Sequence, residues 1–308
     1  MKNFQDLRII FLGTPDFAVA SLDALLKAGA TIIAVVTAPD KPSGRGLHLQ
    51  PSAVKKYATE HNLLVLQPEK LKDPDFLAQL KSLQADLQVV VAFRMLPEAV
   101  WNMPPMGTIN VHASLLPQYR GAAPINRAVI NGEKETGVTT FQLKHEIDTG
   151  GILLQEKIDI LPEDNAGTLH DKLRDAGAML LVKTIEGIVK NTIKETPQSS
   201  LSGELKHAPK IFKDDMQIDW NKSAEEIHNL IRGLSPYPAA FSELKGKQFK
   251  IYQSGFEQTM PHSEAGSFET DYKSYLRFAA KDGWVYIKEL QLEGKKRMNI
   301  EAFLKGFR

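Results

Sequence analysis

An asparagine and a histidine stand two residues apart in the run Thr108-Ile109-Asn110-Val111-His112, and an aspartate follows later in the turn Asp148-Thr149-Gly150-Gly151. If the run is a strand, residues two apart share a face, so Asn110 and His112 look the same way while Ile109 and Val111 pack behind them. A neutral amide that donates a hydrogen bond, beside a group that gives or takes a proton, suits stabilisation of an oxyanion. An aspartate next to the histidine would fix its tautomer and favour its charged form. The residues alone leave a second reading open, in which His112 is a satisfied core histidine and Asp148 merely begins a glycine turn.

The elements around these residues decide whether they meet at a crevice. Residues 8–13, 31–37, 63–66 and 88–93 are short β-branched apolar runs, separated by helical patterns at 52–62 and 73–84. Thr14-Pro15-Asp16 offers a cap, a first-turn proline and an acid ahead of the first helix. Such alternation predicts an α/β fold, Rossmann-like, with a mostly parallel sheet covered by helices on both faces. The strand carrying Asn110 and His112 follows Gly107; then come a helix at 123–131, strands at 137–143 and 152–158, and a long amphipathic helix at 167–190. In open α/β sheets ligands bind outside the carboxyl ends of the strands, where His112 falls.

Residues 191–209 are polar, with proline and serine and no apolar period, and read as a linker between a catalytic domain at 1–190 and a C-terminal domain at 210–308. Beyond the linker, a short helix at 223–232 and brief alternating segments with glycine turns predict a small β-barrel.

With 38 Lys+Arg against 37 Asp+Glu among 308 residues, the net charge of +1 gives no global pull toward nucleic acid or membrane. Cysteine is absent, which removes disulfides and thiolate metal sites, and the first apolar run is too short for a signal peptide or a span; a cytoplasmic protein is expected. Gly13-Thr14-Pro15 lacks the dinucleotide-binding spacing, and the remaining histidines are too scattered to assign a metal.

The run Asn110-Val111-His112-Ala113-Ser114-Leu115-Leu116-Pro117, followed by Asp148-Thr149-Gly150, resembles the signature of the folate-dependent formyltransferases. The resemblance implies transfer of a formyl group from 10-formyltetrahydrofolate to a primary amine: the amine attacks the formyl carbon, an oxyanion develops and the folate nitrogen leaves. On that implication Asn110 and His112 donate to the oxyanion, and Asp148 keeps His112 charged and assists proton removal. Ser114, Leu115, Leu116 and Pro117 match the folate-contacting segment. Two departures stand out: Ala113 replaces a common glycine, and the loop Phe93-Arg94-Met95-Leu96-Pro97 is one residue shorter than the family pattern and lacks its glycine.

Family members differ in the amine they take. Gly13-Thr14-Pro15-Asp16-Phe17, Arg120-Gly121-Ala122-Ala123-Pro124 and the continuation past residue 190 are similar to the branch acting on methionyl-tRNA. That likeness implies an initiator tRNA partner and a C-terminal barrel of the oligonucleotide-binding kind; a sugar-nucleotide acceptor is the alternative. A binding protein with a spent catalytic domain is the reading from another class. The loop from Pro39 to Pro51 is too long for a tight turn and carries Lys41 and Arg45, with Lys55 and Lys56 just after it. By itself it suits a solvated loop as well as contact of Lys41 and Arg45 with acceptor-arm phosphates; the resemblance implies that this loop approaches the acceptor stem, with Arg45 matching the family's arginine, and Lys41 and Arg45 are expected to bind the tRNA. From His207 onward 16 basic residues face 14 acidic ones, and Lys295-Lys296-Arg297 reads either as a charged turn or as a phosphate contact.

Overall fold

In the computed structural model, which describes residues 2–43, 48–201 and 203–307, the apolar runs of the N-terminal part assemble into one seven-stranded sheet. Strand β1 (Arg8–Gly13) leads through helix α1 (Asp16–Lys27) to β2 (Thr31–Val36), then to a hairpin of β3 (Lys41–Ser43) and β4 (His48–Gln50). There follow α2 (Ala53–Glu60), β5 (Val65–Leu66), α3 (Pro74–Ser82), β6 (Leu87–Val91), α4 (Glu98–Trp101) and β7 (Thr108–His112). After the short β8 (Arg120–Gly121) and α5 (Pro124–Ile130) come β9 (Glu135–Gln142), β10 (Ile152–Asp159) and α6 (Ala166–Val189).

The sheet order is β10-β9-β7-β6-β1-β2-β5. Strands β7, β6, β1, β2 and β5 are mutually parallel, and β9 is antiparallel to β7. Ile9, Ile10, Phe11 and Leu12 are fully buried, as a strand covered on both faces requires. The chain builds outward from β1 to β5, then restarts on the other side of β1 with β6. That reversal is a topological switch point, the place where open α/β sheets hold ligands at the carboxyl ends of their strands, and it lies one strand away from His112. Gly13 closes β1 where a side chain has no room: a Cβ there would lie 2.6 Å from Ala18 Cβ and 2.8 Å from the Phe11 ring.

Helix starts follow local chemistry. Ser52 Oγ accepts from Lys55 N at 3.0 Å, and Asp73 accepts from Asp75 N and Phe76 N. The first helix differs from expectation: its N-cap is Pro15, without a side-chain bond, and Thr14 offers its carbonyl to Val54 N instead. Helix α6 packs behind β7, where Gly177 lets it close on Val111; a Cβ would come within 3.0 Å of Val111 Cγ1. Val111 thus faces the helix, and its neighbours Asn110 and His112 face the other side of the sheet.

The chain divides into two compact units, the first holding residues up to 120, 137–158 and 171–207, the second 121–136, 159–170 and those from 208 on. The segment 191–209, expected as a linker, thus contributes most of its length to the first unit. Thr196 and Ile152 exchange two backbone hydrogen bonds of 2.8 Å, and Gln198 is buried.

After the short β11 (His207–Ala208), the second unit comprises α7 (Ala224–Leu234), β12 (Ala240–Leu244), β13 (Lys247–Glu257), β14 (Phe268–Thr270), β15 (Leu276–Ala279), β16 (Trp284–Leu292), β17 (Met298–Asn299) and α8 (Ile300–Leu304). Its antiparallel sheet, ordered β12-β13-β16-β15-β14 with β17 on β16, curls into half a barrel. Register shifts at Ile251/Gln253 and Gln253/Ser254 in β13 supply the bend. Phe249, Ile251, Phe278 and Val285 fill the concave side against Ile227 and Ile231 of α7. Helix α7 starts with a capping box between Ser223 and Glu226 and packs against α5, whose Asn126 donates to the Gly233 carbonyl at 2.8 Å. Half-buried His228 bonds Ser254 Oγ at 2.9 Å, and desolvation, with Arg232 and Lys288 nearby, pushes its pKa down to about 4. No helix among the described residues is long and apolar enough to cross a membrane.

Candidate active site

His112 ends β7, paired with Thr139 of β9, and Asn110 sits two residues earlier between Val90 of β6 and Phe141 of β9. Both side chains stand on one face, as the strand period requires. The following loop turns the chain back so that the Tyr119 carbonyl accepts from His112 Nε2 at 2.9 Å. A carbonyl oxygen only accepts, so Nε2 carries a hydrogen and Nδ1 is the nitrogen turned toward Asp148. Nδ1 lies 3.9 Å from Asp148 Oδ2, and the two side chains are 8% and 12% exposed. The pair is nearly enclosed yet reachable from the strand end.

Asp148 reaches this place from the turn between β9 and β10 on a left-handed backbone, with φ 55°. The two glycines after it are required by space. A Cβ on Gly150 would fall 1.6 Å from the Gln142 carbonyl, and one on Gly151 would fall 2.0 Å from the Glu195 side chain. The Asp-Thr-Gly-Gly pattern is therefore a packing demand that also aims the carboxylate.

Ser114, Leu115, Leu116 and Pro117 form the loop directly after His112. Ser114 is fully buried and spends its hydroxyl on the Gln118 carbonyl at 2.6 Å and its own carbonyl on Thr139 Oγ1 at 2.7 Å. Leu116 is buried with Phe141 and Ile152, and Gln155 donates to its carbonyl at 2.9 Å. These side chains build the loop's shape, so a ligand beside it meets backbone and the half-buried Leu115.

In the shortened loop, Arg94 turns back on the chain. Its guanidinium donates to the Glu69 carbonyl at 2.7 Å and to the Pro68 carbonyl, and lies over the Phe93 ring. Arg94 ties the 92–97 segment to the chain that follows β5. His145, three residues before Asp148, is exposed and pairs with Glu98 at 3.4 Å, edge-on to Trp101.

The long loop before α2 is organised as the β3–β4 hairpin, with Lys41 exposed on its first strand; Arg45 lies outside the described residues. Lys55 binds Asp40 at 2.6 Å, and Gln67 donates to the same carboxylate at 2.8 Å, which holds Asp40 below the usual carboxylate range. Lys55 thus anchors the hairpin's base.

Two partners in this site carry no sequence signal. One is the Tyr119 carbonyl, which is backbone. The other is Gln198, buried in a stretch without period, whose Nε2 donates to the carbonyls of Asp148 and Gly150 at 2.8 and 2.7 Å.

Residues 7–185 match the model of the formyl transferase family, and residues 210–308 match that of the formyl transferase C-terminal domain. The chain belongs to the formyl transferase family. Among curated formyl transferases it is 55% identical to a methionyl-tRNA formyltransferase of Parabacteroides distasonis, over 99% of this chain and 97% of that one. It is 52% identical to the methionyl-tRNA formyltransferase of Bacteroides fragilis, over 98% of this chain and 96% of the relative. Its fold is also that of an N-formyltransferase from Helicobacter canadensis solved with folinic acid and dTDP-3-aminofucose, with a TM-score of 0.67 at 22% identity, over 95% of this chain and all of that one.

Proposed function

We propose that this formyl transferase moves the formyl group of 10-formyltetrahydrofolate onto the amino group of initiator methionyl-tRNA, a cytoplasmic step of translation initiation. The observation that carries the acceptor is the 55% identity, across nearly the whole of both chains, to a relative of that name. The chemistry is supported by the convergence of Asn110, His112 and Asp148 at the end of β7.

The folate donor supplies a formyl carbon and a nitrogen leaving group. Asn110 offers an amide donor, and no other described group engages that amide. His112, with Nε2 committed to Tyr119, donates to the developing oxyanion through Nδ1. The Asp148 carboxylate takes the proton that the attacking amine sheds, and that proton passes to the folate nitrogen as the tetrahedral intermediate collapses, which frees the donor as tetrahydrofolate and restores the carboxylate. The loop of Ser114, Leu115, Leu116 and Pro117 and the segment anchored by Arg94 shape the donor's seat, mainly through backbone. Lys41 and Arg45 meet acceptor-arm phosphates. No metal has a role in this scheme.

The test is formyl transfer from 10-formyltetrahydrofolate, with methionyl initiator tRNA, free methionine and a dTDP-amino sugar competing as acceptors. Transfer to the tRNA alone is expected. Transfer to the sugar nucleotide would keep the chemistry and replace the acceptor.

A further inference from the structure

We propose that Gln198 is a positioning residue that sets the placement of Asp148 against His112; the inference rests on the roles proposed above for that pair. The Gln198 amide is 4% exposed and fully used. Its nitrogen donates to the carbonyls of Asp148 at 2.8 Å and Gly150 at 2.7 Å, and its oxygen accepts from Arg120 Nε at 3.0 Å and Nη2 at 2.6 Å. Carbonyls only accept and a guanidinium only donates, so the amide has a single satisfactory orientation.

The partners of Gln198 are the two segments that flank the His112–Asp148 pair. Arg120 follows Tyr119, whose carbonyl fixes His112 Nε2. Asp148 stands 3.9 Å from His112 Nδ1. A closed circuit therefore runs from His112 through Tyr119 and Arg120 to Gln198, and through the Asp148 backbone back to His112. The left-handed backbone of Asp148, φ 55°, is one a non-glycine residue keeps only when its surroundings insist. Gln198 supplies that insistence on the carbonyl of the same residue. Thr196, two positions earlier, is laced to Ile152 at the start of β10, so Gln198 is itself held by the sheet.

The consequence is kinetic. Releasing the Asp148 turn should displace the carboxylate without touching the surfaces that hold donor or acceptor, and a misplacement of about 1 Å costs up to about 100-fold in rate. Two variants of the full chain serve. Gln198→Ala removes the amide; Gln198→Glu keeps its shape and its acceptor for Arg120 but turns a carboxylate oxygen toward two carbonyls. For both, kcat is expected to fall about 10- to 100-fold, with KM for donor and tRNA within about threefold. Adding Gln198→Ala to Asp148→Asn should lower kcat no further.

Wild-type kcat in a folded Gln198→Glu protein would reduce Gln198 to a structural contact and overturn the proposal. So would additive losses in the double variant. Full activity in Asp148→Asn alone would be a different failure, since it removes the role of Asp148 and this inference with it.

Discussion

Oδ2 of Asp148 lies 3.9 Å from Nδ1 of His112, too far for a hydrogen bond and close enough for charge to act across a nearly enclosed gap. Because Asn tolerates left-handed backbone, Asp148→Asn isolates the carboxylate from the strain that alanine would add at φ 55°. We expect kcat to fall by about 100-fold or more in Asp148→Asn and in His112→Ala, with tRNA affinity and circular dichroism unchanged. Turnover near wild type in either would remove that residue from the chemistry.

Lys41 and Arg45 should behave as phosphate contacts. Alanine at either position is expected to lower kcat/KM for tRNA, to leave the donor KM alone, and to reduce the slope of log affinity against log salt by about one. Unchanged salt dependence in both variants would make the hairpin a solvated loop.

Arg94 gives a separate test of the shortened loop. Losing its bonds to Pro68 and Glu69 frees the 92–97 segment, so Arg94→Ala should raise the donor KM about 10-fold while kcat at saturating donor stays within about threefold. Lysine should not rescue it, because one ammonium cannot span two carbonyls as the planar fork does. A donor KM equal to wild type would show that the loop holds its shape unaided.

His228 predicts how stability responds to acid. Its folded pKa of about 4 lies below the ordinary value of 6.5, so the unfolded chain binds the proton more readily between those limits. Stability is therefore unaffected above about pH 7 and falls as pH drops through 6.5 toward 4, by about 1–2 kcal/mol at pH 5 from this group. His228→Gln should flatten that part of the profile in thermal melts taken at pH 7 and pH 5. Parallel curves for the two proteins would count against the assignment.

Much of this arrangement was legible in the residues. β-branched runs alternating with helical periods predict the parallel sheet, and a period of two puts Asn110 and His112 on one face. The likeness to the formyltransferase signature added Asp148, whose approach across the sheet no local pattern encodes. Other features depend on contacts that composition does not signal. Thr14 has a capping side chain, yet the chain uses its carbonyl on α2 and starts the helix after Pro15. Gln198 lies in a polar stretch that looks like a spacer, and only the folded chain shows its amide saturated. Lys55 adjoins the basic loop in sequence, and only the fold sets Asp40 against it.

The second unit takes α5 and residues 159–170 from between the strands of the first. Because a ribosome delivers the chain in order, α5 emerges long before α7, the helix it packs on. The nascent protein must carry Ile130 of α5, which packs on the core cluster that α7 belongs to, without that partner until its last third is made. Cutting the chain near residue 200 would then yield two incomplete pieces, since the C-terminal fragment would lack α5 and the N-terminal one would present it uncovered.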